Sequence, residues 1–228
     1  MSDFIEVMVI VEGKTEENFV KSLLSKYLSE RNIFMSATQV TKLGQKGGDV
    51  RFERVKNDIG LHLKQRADTY VTTLVDYYGI KEWPGLDEVP PRSTPTKIAQ
   101  IVNRATSDKV RALFSSLNTD RRFVPYIAIH EFEALLFSDS RILASELGIS
   151  EEEVTSVLVK CSEPEAINNS PETAPSKRLD GWAKNGKFAK TSAGIAIAKI
   201  IGIAAMRDRC PVFNDWLERL EMIQRDLP

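Results

Sequence analysis

The sequence predicts an α/β fold in which a parallel sheet is flanked by helices and followed by a mostly helical carboxyl-terminal part. Three observations predict it. Residues 5–11, 70–75 and 123–129 are apolar, β-branched runs of strand length, and each hands over to carboxylates: Glu12, then Asp76, then Glu131 and Glu133. Helical spacing of apolar residues fills the segments between these runs. Beyond about Leu136 the pattern is helical. The expected division is residues 1–138 as the α/β core and residues 139–228 as a helical region packed on it.

The elements follow in order. Residues 5–11 are continuously apolar after Glu6, as in a central parallel strand covered on both faces. Gly13 turns the chain, Thr15 is the expected N-cap, and Glu16 and Glu17 lie in a first helical turn, where carboxylates suit the helix dipole. Phe19, Val20, Leu23, Leu24, Tyr27 and Leu28 then form the inward stripe of a helix over 16–29. Residues 32–40 read as a second strand. A glycine-rich, basic loop over 41–48 either touches a phosphate or is a solvated connection. Asp49 is the expected cap of a helix reaching Lys64. The strand at 70–75 ends in Asp76-Tyr77-Tyr78-Gly79, repeating the arrangement at Glu12-Gly13. A loop stiffened by Trp83, Pro84, Pro90 and Pro91 precedes two helices, 95–105 and 109–117. Pro125 is awkward inside a central ladder, so it marks the start of the fourth strand or an edge. After Phe137, helices are expected over 140–147, 151–160, 193–206 and 211–223, with Ser150 capping the second.

Bulk properties narrow the function classes. The chain has 228 residues, 42% of them hydrophobic, enough for one sizeable core. The net charge of −1 argues against wrapping long nucleic acid on a basic surface, yet 31 Lys and Arg leave room for a local basic groove. Two cysteines and two histidines, none closely paired, disfavour a zinc site and fit a reduced, cytoplasmic setting. No run has the length of a signal peptide or a membrane span, so no membrane partner is expected.

Three carboxylate positions after strands are the main chemical signal. In open α/β sheets ligands bind at the carboxyl edge. Converging oxygens there suit Mg²⁺ or Mn²⁺, which polarise phosphoryl groups and activate water. Without a metal, the same acids cap helices, pair with lysines or face water. Lys14 either steadies a phosphate or is a surface lysine. His130 is a proton shuttle, a metal ligand or a core-edge residue bonded to backbone. Lys177, Arg178 and Lys184, with Lys187 and Lys190 beside Trp182 and Phe188, either contact DNA or RNA or form a solvated face anchored by Trp182. No Walker loop, dinucleotide fingerprint or nucleophile elbow is present.

Met8-Val9-Ile10-Val11-Glu12-Gly13-Lys14-Thr15-Glu16 resembles the first motif of the TOPRIM fold, which is shared by primases, topoisomerases and OLD-family nucleases. Taken with Asp76-Tyr77-Tyr78-Gly79, with His130-Glu131-Phe132-Glu133-Ala134-Leu135-Leu136-Phe137 and with Pro175-Ser176-Lys177-Arg178-Leu179, the chain resembles a family of bacterial TOPRIM-like proteins related to the OLD nucleases. The resemblance implies a Rossmann-like, TOPRIM-type sheet with Mg²⁺ held by Glu12 and Asp76. Tyr78 stands where the second aspartate of the acidic motif belongs, and Glu131 or Glu133 is the candidate replacement ligand. The resemblance also implies a partner ATPase in an anti-phage or DNA-processing system. Three functions follow as expectations. The first is a Mg²⁺-dependent nuclease using Glu12, Asp76, Glu131 and Glu133, with Lys14 on phosphate. The second is a non-catalytic partner or regulator of an ATPase. The third is a nucleotide phosphotransferase with a closed pocket under the Trp83 loop.

Overall fold

The computed structural model describes residues 4–41, 50–167, 170 and 172–225. Its core is a parallel sheet in the order β2-β1-β4-β6, with β7 also pairing β4. β1 (Ile5–Val11) lies between β2 (Ile33–Gln39) and β4 (Thr69–Asp76), and both pairings are parallel. Its central place explains its apolar run: Val7, Val9, Ile10 and Val11 are all buried. A mostly helical carboxyl-terminal region follows, and the whole agrees with a general TOPRIM-like architecture. Among the described residues no helix is long and apolar enough to cross a membrane.

The first crossover is α1 (Lys14–Phe19), a π-helical turn Val20–Leu24, and α2 (Ser25–Ser29). The cap is Gly13 rather than Thr15, because the Glu16 carboxylate accepts the Gly13 N–H at 3.0 Å and starts the helix earlier. The 42–48 part of the glycine-rich loop and the Asp49 cap lie outside the described residues. Val50 belongs to β3 (Val50–Arg51), which pairs with β5 (Ile80–Lys81), so α3 (Phe52–Gln65) begins after it. α4 (Pro95–Leu113) is one helix where two were expected, since Ser107 and Asp108 do not interrupt it. Trp83 is buried against Phe52 and donates its indole N–H to Thr106 Oγ1 at 2.9 Å.

Pro125 divides the expected fourth strand. β6 (Phe123–Val124) and β7 (Ile127–Ala128) pair separately with β4, because proline has no N–H for the ladder. Buried threonines on β4 mend the gap. Thr73 Oγ1 donates to Tyr126 O at 3.0 Å and accepts the Tyr126 N–H at 3.1 Å, while the Thr72 hydroxyl donates to Val124 O. α5 (Thr119–Arg122) leads into β6 and buries Arg122, whose guanidinium donates to the carbonyls of Leu63, Thr69 and Leu117. One cation thereby satisfies carbonyls at the end of α3 and the start of β4.

The helical region comprises α6 (Ser140–Leu147), α7 (Glu151–Cys161), α8 (Pro175–Trp182), α9 (Ile195–Arg209) and α10 (Pro211–Arg225). Ser150 and Glu153 form the expected capping box of α7. α10 lies on the sheet through Trp216, which stacks on Tyr126 at 4.3 Å and donates its indole N–H to Thr72 Oγ1 at 2.9 Å. Glu165 holds the start of α10 by accepting the N–H groups of Val212 and Phe213 at 2.8 and 3.0 Å. Pro211 ahead of them has no N–H to satisfy.

Burial raises the Glu165 carboxyl to about 7, against the lowering effect of its two backbone donors. An acid with a raised folded pKa binds its proton more tightly when folded, so its contribution to stability is lost as pH rises through that value. Urea unfolding should therefore show stability declining between the ordinary glutamate value of 4.5 and about 7. Glu165→Gln should flatten that part of the profile, and an unchanged slope would contradict the assignment.

Candidate functional site

The parallel register brings the strand-end acids to one edge. Val11 pairs with Leu74, so Glu12 leaves β1 beside the end of β4. Glu12 donates its N–H to Leu74 O at 3.3 Å, and its Oε2 lies 3.5 Å from the N–H of Asp76. The turn after β4 closes over it: a Cβ at Gly79 would stand 2.9 and 3.0 Å from the two Glu12 carboxylate oxygens. A side chain at residue 79 would therefore require the Glu12 carboxylate to move. Tyr77 and Tyr78 continue along β7 through bonds to Ala128 O and His130 O. Tyr78, in the place of the second aspartate, is exposed.

The His130 motif folds back onto this edge through a tight turn. His130 has φ +64, and Glu131 N–H closes onto Ile129 O at 3.0 Å. A non-glycine residue in this left-handed region is strained. The turn aims the Phe132 N–H at Asp76 Oδ1, 2.9 Å away, and starts the 3₁₀ segment Phe132–Ser138. The His130 ring packs edge-on to Tyr77, its Nδ1 is buried without a partner among the described residues, and burial lowers its pKa, favouring the neutral imidazole.

Glu131 and Glu133 diverge. Glu131 turns to the start of α8, where it accepts the Ser176 N–H at 2.8 Å and the Ser176 hydroxyl at 2.9 Å. Pro175 makes Ser176 the first residue of α8 with an N–H to offer, and a carboxylate there is favoured by the helix dipole. Glu133 turns to Lys190, whose Nζ lies 2.9 Å from Oε1; the other oxygen, Oε2, is buried with no partner among the described residues. Lys190 reaches the edge because the chain doubles back after α8. Gly186 takes φ +64, the Phe188 N–H donates to Asp180 Oδ1 at 2.9 Å, and the π-helical turn Lys190–Gly194 begins.

The charges at this edge are interdependent. Burial pushes Asp76 well above the usual aspartate range, and Glu16, Glu133, Glu12 and Glu131 push it further. Burial and then Glu12 raise Glu16, opposed by its backbone bonds and by Lys190. Burial raises Glu133 although Lys190 opposes it. Burial alone would lower Lys190, but Glu133, Glu131 and Asp76 outweigh it and raise the ammonium. Burial and mutual repulsion thus favour the neutral forms of Asp76, Glu16 and Glu133, and one lysine stands among these carboxylates.

The other sequence candidates lie apart from this set. Lys14 is exposed and pairs with Glu17 at 3.1 Å. Lys21, Gln39 and Lys14 together lower the Glu17 carboxyl to about 2. Lys177 is exposed and 3.9 Å from Asp180, while Arg178 is half-buried and donates to Thr173 O at 2.9 Å. Lys184 is exposed, and Trp182 packs on Phe137 at 5.8 Å. Glu16 and Lys190 are the members that sequence reasoning missed. Gly13 with an acid three residues on is a capping-box signal that could have found Glu16. Nothing local marks Lys190, whose place depends on the fold of residues 183–189.

The expected Mg²⁺ or Mn²⁺ site is corrected here. Among the described residues no three His, Cys, Asp or Glu side chains are arranged to hold one metal ion. The physical reason is that the acids are committed elsewhere: Glu131 to Ser176, Asp76 to the Phe132 N–H, Glu16 to the Gly13 N–H and Glu133 to Lys190. Glu131 and Glu133, each expected as the replacement for the aspartate that the resemblance implies at Tyr78, turn to different elements, one to Ser176 and the other to Lys190.

Comparison with known proteins places the chain in a family. The C-terminal region of the Xanthomonas campestris pv. campestris OLD protein is similar over 96% of this chain and 95% of its own, at 14% identity and a TM-score of 0.40, a remote structural likeness. A search of curated proteins found no match. The family model described as Domain of unknown function (DUF4276) matches residues 11–221, and the chain belongs to that family.

Proposed function

We propose that the chain is a non-catalytic partner or regulatory protein built on a TOPRIM-like scaffold and acting beside an ATPase, rather than a metal-dependent nuclease. One observation carries this reading: Lys190 stands among the carboxylates as their internal cation, 2.9 Å from Glu133. A nuclease edge needs oxygens left open to a hard metal ion, and here Glu131, Asp76, Glu16 and one oxygen of Glu133 already meet fixed donors. The acids then serve the scaffold. Asp76 and Glu131 orient the His130 turn and α8, and Glu133 ties the Lys190 turn to the 3₁₀ segment. The ATPase partner and the DNA-processing or anti-phage setting come from the resemblance of the four motifs. Phosphotransfer loses support because Trp83 is turned inward onto Thr106 and does not offer its indole to a ligand.

The test compares wild type with Glu12→Gln on single- and double-stranded DNA and RNA in the presence of Mg²⁺ or Mn²⁺. The expected result is no cleavage by wild type beyond that of the variant, and retention of an ATP-hydrolysing partner when the full chain is used as bait in its own cell extract. Metal-dependent cleavage that Glu12→Gln abolishes would overturn the reading.

Lys190 offers a separate check. Lys190→Met leaves Glu133 and its neighbours uncompensated, and their proton affinities rise further. The folded carboxylates then hold protons above their unfolded values, so the added cost grows as pH rises. Denaturant unfolding should find the variant near wild type at about pH 5 and destabilised by about 1–3 kcal/mol at about pH 8, less than for a fully buried pair because the lysine is partly exposed. Equal destabilisation at both pH values would contradict an electrostatic role.

A further inference from the structure

We propose that the groove between α4 and α10, along the β6 edge of the sheet, binds an extended acidic peptide segment that carries an apolar residue. Two hollows form it and meet at Arg219. The first, about 370 Å³, has Thr96, Gln100, Asn103 and Ser107 along its α4 wall and Asp215 and Arg219 on the α10 wall. The second, about 290 Å³, is lined by Tyr70, Phe123, Val124 and Met222, with Arg121 and Arg219 at its side.

The α4 wall is a row of neutral amide and hydroxyl groups at spacings of four, three and four residues, which keeps them on one face of the helix. From Thr96 to Ser107 the row runs about 16 Å at the α-helical rise, a length matched by about five residues of extended chain. Such a row suits the alternating N–H and C=O groups of a peptide backbone.

The charge of the side chain follows from the arginines. Arg219 and Arg121 form no ion pair among the described residues, while Asp120 is already engaged by Arg111. Arg104, at the rim, lies 3.5 Å from Glu88. Asp215 repels an anion within the first hollow, so the acidic residue belongs at the junction, between Arg219 and Arg121. An apolar side chain of the same segment then enters the second hollow, where Met222 is 55% exposed. The groove is separate from the carboxylate edge, and the proposal does not depend on the ATPase reading.

The test is selection of a random peptide library displayed on phage against the immobilised full chain, followed by affinity measurement of the selected peptides in solution. Selected peptides should be enriched in Asp or Glu near an apolar residue. They should weaken with rising salt and lose about tenfold or more in affinity on Arg219→Glu, as for a charged contact removed from an interface. Gln100→Ala, which removes an exposed amide of the α4 row, should weaken binding without changing its salt dependence. Circular dichroism and thermal melting verify the fold of each variant, and Arg219→Gln decides the case if Arg219→Glu does not fold. No selected binder, binders without acidic enrichment, or acidic binders indifferent to a folded Arg219 variant would each overturn the proposal.

Discussion

Carboxylates crowded at one edge of a parallel sheet must be neutralised, and the arrangement around Lys190 is how this chain does it. Burial and the neighbouring carboxylates raise the proton affinity of Asp76, Glu16 and Glu133 at that edge. Leaving such charges unmatched in a low-dielectric setting costs several kcal/mol each. Three compensations act together. Backbone N–H groups at Gly13, Phe132 and Ser176 accept part of the load as donors. Raised proton affinity at Asp76, Glu16 and Glu133 favours their neutral forms. Lys190 supplies the cation, and the strained turn at His130 is tolerated because it delivers the Phe132 N–H to Asp76 and Glu131 to Ser176.

The framework beneath that edge makes the geometry rigid. β1 is paired on both sides, so Glu12 inherits its position from two ladders. The gap opened by Pro125 is filled by the hydroxyls of Thr72 and Thr73, and Trp216 locks α10 to the same threonine. This coupling means that the carboxyl-terminal helices are fastened to the centre of the sheet.

Much of the fold was legible in the sequence for physical reasons. A buried parallel strand must be apolar on both faces, which identified β1 and β4, and the capping box at Ser150 fixed the start of α7. Errors came where tertiary contacts overrule local signals. Pro125 split one expected strand into two, and α4 ran through a Ser-Asp pair that looked like a break. At the candidate site, the sequence singled out Glu12, Asp76, Glu131 and Glu133, but residue types and strand ends do not reveal where carboxylate oxygens point. The metal expectation failed on that orientation: Glu131 meets Ser176 and Glu133 meets Lys190, both distant in sequence. Tyr78 was the visible warning, since its exposed ring brings no ligand to the acidic motif.

On the non-catalytic reading, internal donors and Lys190 compensate the acidic edge in place of a divalent ion. Titration of the full, metal-stripped chain with Mn²⁺, followed by the electron paramagnetic resonance of the free ion, tests it most directly. The account predicts that the free-ion signal grows as it does in buffer. Saturable, stoichiometric loss of that signal that disappears in Glu12→Gln or Asp76→Asn would contradict it.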